Sequence, residues 1–173
     1  MANKNKEKGK YLEEYVATKF KKEFNLDTRD VHRAQASGVF TTEYGDIYFR
    51  KHAVIIECKN QQDVQTQRLF PELSKTIFNF YKQLEKDVQK FKNKYPDQKV
   101  LYFLVATNTS NRLPRYVIVD KQSFKEFIQN DIIDKKLLDS NISYISTKYI
   151  NKIFLVFILD DFIKYINLEI LEY

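Results

Sequence analysis

The sequence predicts an α/β fold with a mixed central β-sheet flanked by helices on both faces. Three observations carry that expectation. Residues 8–24 and 71–93 repeat apolar side chains at helical spacing. KVLYFLVA (99–106) and KIFLVFIL (152–159) are unbroken apolar runs, as strands covered on both faces require. Between the first helix and these runs lies GDIYFRKHAVIIECKN (45–60), rich in β-formers yet carrying charges of both signs.

Taken in order, residues 8–24 place Leu12, Val16, Phe20 and Phe24 at i, i+4, i+8 and i+12, with Tyr15 beside them. Residues 25–30 are a connector, 31–34 a short strand, and 35–43 a loop holding Ser37 and Gly38. Residues 44–49 and 53–59 are β-rich, and the glutamine-rich 60–70 reads as a loop. Pro71 suits the first turn of a helix, and Leu73, Ile77, Tyr81, Leu84, Val88 and Phe91 mark one face of it, ending near Asn93 ahead of Pro96. After the strand at 99–106 come a loop, a strand at 115–119, a short helix at 123–129, a minor strand at 142–145 and the strand at 152–159. Asp160 or Asp161 is placed to cap a last helix through Ile166. With no repeat and no low-complexity linker, residues 1–173 read as a single domain.

Composition excludes several functions. No apolar run reaches the length of a membrane-spanning helix, and MANKNKEKGK is too polar for a signal peptide. The one cysteine, Cys58, permits no internal disulfide and fits a reducing cytoplasmic setting. Two histidines and one cysteine cannot build the usual zinc sites, and three glycines leave no phosphate-cradling loop. The net charge is +6, and residues 1–100 hold all of the excess, with 20 basic against 14 acidic side chains, whereas residues 101–173 balance at 9 and 9. A basic half favours a polyanionic partner through counterion release.

The charges of 45–60 suggest what that partner undergoes. An antiparallel hairpin centred on Lys51–His52 sets Asp46 opposite Glu57, with Lys59 two residues further on the same face. Paired carboxylates repel unless a cation lies between them. A hard ion such as Mg²⁺ takes one or two carboxylates and completes its shell with water and phosphate oxygens. A neighbouring ammonium can stabilise developing negative charge or orient a water nucleophile, which together make equipment for phosphodiester hydrolysis. The same triplet also suits a solvent-facing hairpin whose acids simply pair with Lys59. Glu13 lies inside the apolar arc of the first helix, where it either reaches the same site or pairs with a lysine or arginine at the rim. Cys58 alternates to the opposite face and reads as a buried small apolar residue.

The pattern Gly45-Asp46, ten residues, Glu57-Cys58-Lys59 resembles the PD-(D/E)XK nuclease superfamily, with Gly45 in the place of the proline. Within it the chain most resembles archaeal Holliday-junction resolvases and their phage and bacterial relatives. KGKYLE, with Glu13 at the acidic position, is similar to their first helix, and R33-A-Q-A-S37-G38 to their following loop; the similarity covers about residues 8–119. The resemblance implies a restriction-endonuclease-like core in αβββαβ order over about 8–129; the C-terminal extension over about 130–173 departs from the resolvase pattern and reads as a dimerisation element, a specificity element or extra core. The resemblance further implies a Mg²⁺- or Mn²⁺-dependent endonuclease acting as a homodimer on branched DNA. In that reading Asp46 and Glu57 bind metal with the Cys58 carbonyl, Glu13 supports them through water, and Lys59 acts on the nucleophile. Arg33, Ser37, Lys8 and Lys10 are expected against DNA.

Other basic and polar clusters admit two readings. Lys4, Lys6, Lys8 and Lys10 make either a solvated arm or a DNA-backbone contact. Lys82, Lys86 and Lys90 suit a solvated helix face paired with Glu85 and Asp87. Gln61, Gln62, Gln65 and Gln67 follow the triad, and no one of them stands out as functional. Two alternatives to a resolvase remain: a restriction- or repair-type nuclease on linear duplex, and a DNA-binding domain that kept the fold without catalysis.

Overall fold

The structure, a computed structural model, describes residues 4–34, 44–60, 73–107, 114–139 and 144–172. Helix α1 (Lys4–Glu23) buries Leu12, Val16, Ala17 and Phe20. It stops at Asn25, whose φ of 53° lies in the left-handed region that asparagine tolerates, and Leu26 N–H closes the cap onto Lys21 O at 3.0 Å. Strands β1 (Val31–Arg33) and β2 (Ile47–Phe49) pair antiparallel as a small two-stranded sheet, with Val31 opposite Phe49 and Arg33 opposite Ile47.

The main sheet has five strands in the order β3-β4-β5-β7-β6. β3 (Val54–Asn60) runs parallel to β4 (Leu101–Thr107), joined by the crossover helix α2 (Lys75–Lys94). β5 (Tyr116–Asp120), β6 (Ile145–Tyr149) and β7 (Lys152–Ile158) complete it in antiparallel pairing. Every residue of β4 is buried, as its apolar run requires of a strand covered on both faces. The register puts Phe103 and Phe154 on opposite faces. Phe103 packs on Phe20 of α1, and Phe154 on Tyr81 of α2, so these two helices sandwich the sheet. Helices α3 (Lys121–Gln129), α4 (Lys136–Asp139) and α5 (Leu159–Phe162) follow, with 3-10 turns at Ile163–Tyr165 and Leu168–Leu171.

Four expectations change. Helix α2 begins at Lys75 behind an N-cap at Ser74, whose Oγ accepts from Ile77 N–H, so Pro71 precedes the helix and lies outside the described residues. The minor strand runs over Ile145–Tyr149, later than expected, in register with β7. The last helix is a single turn over Leu159–Phe162 with no side-chain cap; Asp160 and Asp161 fall in its first turn instead. Asp160 turns to α1, pairing with Lys19 Nζ at 2.9 Å.

The hairpin register is the fourth. β2 and β3 do not form a continuous ladder. Ala34 N–H takes Asp46 O at 2.9 Å and Arg50 N–H takes Asp30 O at 2.9 Å, so the main chain of β2 is committed to β1. The intervening residues are held by the C-terminus: Ala53 N–H donates to Leu171 O at 2.8 Å, and His52 bridges to Glu172. The strands therefore do not pair as a hairpin, and the main-chain bond between them comes just before β2, where Asp46 N–H donates to Ile56 O at 2.7 Å.

Strands β6 and β7 belong to the same sheet as β3–β5, with β7 seated between β5 and β6. The residues expected as an extension thus supply core: Phe154, Leu155, Val156 and Phe157 are all buried.

Candidate active site

The free edge of β3 organises the site. Glu57 and Lys59 share a face of this strand, two residues apart, and Asp46 is brought up to its edge by the tight approach of Gly45. Gly45 has φ +73°, and a Cβ there would lie 2.6 Å from Ile56 O and 3.0 Å from Ile56 N. Only glycine fits. Proline, whose φ is fixed near −65°, cannot take this backbone. Asp46 then replaces a ladder bond with its side chain: Cys58 N–H donates to Asp46 Oδ2 at 2.7 Å. Because N–H and C=O of one strand residue point to the same side, the Cys58 carbonyl also faces away from β4 toward Asp46.

The Lys59 ammonium lies between the acids. It forms a close ion pair with Glu57 Oε1 and stands 3.7 Å from Asp46 Oδ2. The ring of Phe80, from α2, flanks it at 5.4 Å. Burial is the main influence on Glu57, which is 6% exposed, and pushes its carboxyl above the ordinary range; the Asp46 charge pushes the same way and Lys59 opposes it. For Lys59, burial alone would lower the pKa, but Asp46 and Glu57 together outweigh it and the net direction is up. Glu13 is also raised, first by burial, then by the Asp46 charge, against the hydrogen bond from Arg33. The Cys58 thiol is fully buried on the other side of the strand and pushed well up by that burial.

Glu13 is within electrostatic reach of both Asp46 and Lys59, and its Oε2 accepts from Arg33 Nη1 at 3.2 Å. Arg33 is thereby engaged with an acid of the site. Lys8 comes to the site through its main chain: its carbonyl accepts from Asn60 Nδ2 at 3.0 Å. Lys10 is exposed on the first turns of α1. Ser37 and the glutamines at 61, 62, 65 and 67 lie outside the described residues. On the α2 face, Lys90 pairs with Asp87 and Glu85 pairs with Lys152 of β7, while Lys82 lies over the Phe78 ring.

Three neighbours of the site escaped sequence reading. Asn60 ties the start of α1 to β3, and its Oδ1 is buried with no partner among the described residues. Phe80 flanks Lys59, and the charge of Asp87 on α2 acts on Glu57. Asn60 was findable as the residue following Lys59; Phe80 and Asp87 depend on how α2 lies on the sheet.

Among the described residues no group of three His, Cys, Asp or Glu side chains comes together as a metal cluster. The donor set fits a hard divalent ion on different terms. Two carboxylates converge on one ammonium, burial and then the Asp46 charge hold Glu57 above its ordinary range, and a carbonyl faces the same edge. Such an ion needs only one or two carboxylates when water and phosphate oxygens fill the rest of its shell.

A helix-flanked mixed sheet with an aspartate, a glutamate and a lysine gathered on one edge strand is the arrangement of a PD-(D/E)XK nuclease. The family described as "Phage putative PDDEXK endonuclease" matches residues 4–172, and the chain belongs to that family. The match takes in β6 and β7, which the likeness to resolvases leaves out. No curated protein and no solved structure gives a match. A family of endonucleases implies DNA as the substrate class. No described helix is long and apolar enough to cross a membrane.

Proposed function

We propose that this chain is a Mg²⁺-dependent DNA endonuclease, with Mn²⁺ able to substitute, that cuts branched DNA as a homodimer in the manner of a junction resolvase. The observation that carries the chemistry is the convergence of Asp46 and Glu57 on the Lys59 ammonium at a strand edge. The order of motifs from Glu13 through Lys59 supports the branched substrate, and two-fold assembly follows from a substrate that presents two strands to be cut.

A bound divalent ion would supply Lewis-acid polarisation of the phosphate and a more acidic water. Asp46, Glu57 and the Cys58 carbonyl would hold it, with Glu13 beyond them. The chain's own residues do the rest. Lys59 rests as an ammonium, because its acidic neighbours raise its pKa. Its role is therefore to offset negative charge as the water oxygen bonds to phosphorus and the ester P–O bond breaks. Cys58 N–H fixes the Asp46 carboxylate, and Arg33 fixes Glu13. Phe80 covers one side of Lys59.

The test is cleavage in Mg²⁺ of a synthetic four-way junction, a matched linear duplex and a single strand, with Lys59→Ala alongside. Paired symmetric cuts confined to the junction and lost in the variant are expected. Cutting of the duplex at one sequence moves the reading to a restriction-type enzyme. Salt-sensitive binding without cutting in any divalent metal makes it a binding domain.

A further inference from the structure

Arg115 immediately precedes β5, at the same end of the sheet as Lys59. Lys59 pairs with Ala106 of β4, which pairs with Tyr116 of β5. One step further along this register, Asn60, Thr107 and Arg115 form the next row, on the face covered by α1. Arg115 is therefore two strand spacings across the sheet from β3, about 10 Å, on the face opposite Glu57 and Lys59.

The Arg115 side chain lies on an aromatic ring. Its guanidinium carbon stacks 3.6 Å from the centroid of the Tyr15 ring, and its carbonyl accepts from Leu159 N–H at 2.8 Å. The ring is itself held from its far end, because Tyr15 Oη donates to Asp160 Oδ1 at 3.2 Å. Asp160 is already neutralised by Lys19 at 2.9 Å. Among the described residues no carboxylate lies within ion-pair distance of Arg115. A guanidinium lying over a ring keeps its N–H donors in its own plane, above the ring, where they can take an anion's oxygens. The cluster of Arg115, Lys19 and Asp160 so carries one unmatched positive charge beside the site.

A ring-stacked, half-buried arginine without an acid is not an ordinary solvated surface charge. It costs side-chain entropy that stacking alone repays only in part. We propose that Arg115, held by Tyr15, is a DNA-backbone clamp that seats a phosphate of the strand flanking the bond under attack. This rests on reading the β3 edge as a nuclease site. The clamp carries no sequence information; it fixes the strand's register relative to Lys59.

The experiment is fluorescence-anisotropy binding of the labelled junction and linear duplex across a salt series, in chelator so that no cutting occurs. Wild type, Arg115→Ala, Arg115→Lys and Tyr15→Leu are compared, each first shown to be folded by circular dichroism. Loss of one phosphate contact predicts that Arg115→Ala weakens binding about eightfold near 0.1 M salt and lowers the salt slope by about 0.9. Arg115→Lys keeps the slope, and Tyr15→Leu weakens binding with the slope kept. A folded Arg115→Ala protein with unchanged affinity and slope overturns the clamp, even if the wild type cuts DNA. A wild type that binds through Arg115 yet never cuts in Mg²⁺ overturns the nuclease reading and leaves the clamp standing. A wild type that binds neither DNA overturns both.

Discussion

Asp46 is fastened to the strand it serves: its Oδ2 accepts the main-chain N–H of Cys58 at 2.7 Å, between Glu57 and Lys59 in sequence. The carboxylate thus has a structural bond and a charge, and the two can be separated. Asp46→Asn keeps an acceptor oxygen for Cys58 N–H and removes the charge. It is expected to melt within a few degrees of wild type while Mg²⁺-dependent cleavage falls at least about 100-fold. Asp46→Ala loses both, with roughly 1 kcal/mol of added destabilisation for the N–H left without its partner. Wild-type cleavage by a folded Asp46→Asn would remove the carboxylate charge from the mechanism.

Gly45 makes that placement possible. Its φ of +73° and the 2.6 Å approach to Ile56 O leave no room for a side chain. Gly45→Ala is expected to cost at least about 2 kcal/mol, from left-handed backbone strain and a clash with main chain that cannot swing aside. Gly45→Pro restores the residue of the superfamily signature and is expected to do worse, since its ring fixes φ at the wrong sign. Urea denaturation of the two variants measures this; a Gly45→Pro protein as stable as wild type would contradict the backbone geometry.

Lys59 and a divalent ion would compete for the same acids. The ammonium is ion-paired with Glu57 and 3.7 Å from Asp46. Lys59→Met keeps an apolar stem and deletes the charge. Calorimetric titration with Ca²⁺ is expected to show roughly tenfold tighter binding, about 1.4 kcal/mol, in a protein that no longer cuts. Tighter metal binding with lost activity is a signature that simple misfolding does not produce. Unchanged affinity would mean that the ion and the ammonium occupy separate places.

The acids also set a pH dependence. Glu57 and Glu13 both sit above the ordinary carboxyl value of 4.5, chiefly through burial, with the Asp46 charge adding to each. The folded protein therefore keeps protons that the unfolded chain has released, so stability falls as pH rises from 4.5 through the raised values. Lys59 is raised too, but its contribution is fully present below 10.5 and is constant across this window. Metal-free melts are expected to show a falling Tm over that range, with a shallower fall in Glu57→Gln. An equally steep fall in the variant would place the proton uptake elsewhere.

Much of this was legible in the sequence because it rests on local rules. The period of α1, the apolar run of β4 and the placing of Glu57 and Lys59 on one strand face all follow from backbone geometry. What stayed hidden depends on non-local pairing. The hairpin register assumed that neighbouring strands pair, but β2 gave its main chain to β1, and the C-terminus took residues 52 and 53. That Arg33 in particular is the partner of Glu13 depends on β1 carrying it alongside α1. The start of α2 missed Ser74, whose Oγ is a stronger helix signal than the proline before it.

The place of residues 130–173 in the sheet leads to a direct test. β7 pairs along the whole of β5, from Tyr116–Ile158 to Asp120–Phe154, and among the described strands β6 pairs only with β7. Val117, Ile118 and Val119 are fully buried, and Phe162, following β7, packs its ring on Phe103 of β4. A chain ending at residue 130 would turn β5 into an apolar edge strand, the kind that aggregates. It would also lose the burial of Phe154, Leu155, Val156 and Phe157, at roughly 1.5–3 kcal/mol each. That loss is comparable to the whole stability of an ordinary domain, about 5–15 kcal/mol. The shortened chain is expected to be unfolded or aggregated by circular dichroism and size-exclusion chromatography. A monodisperse, cooperatively melting protein of residues 1–130 would show that residues 8–129 are a self-sufficient core and that β6 and β7 are an addition to it.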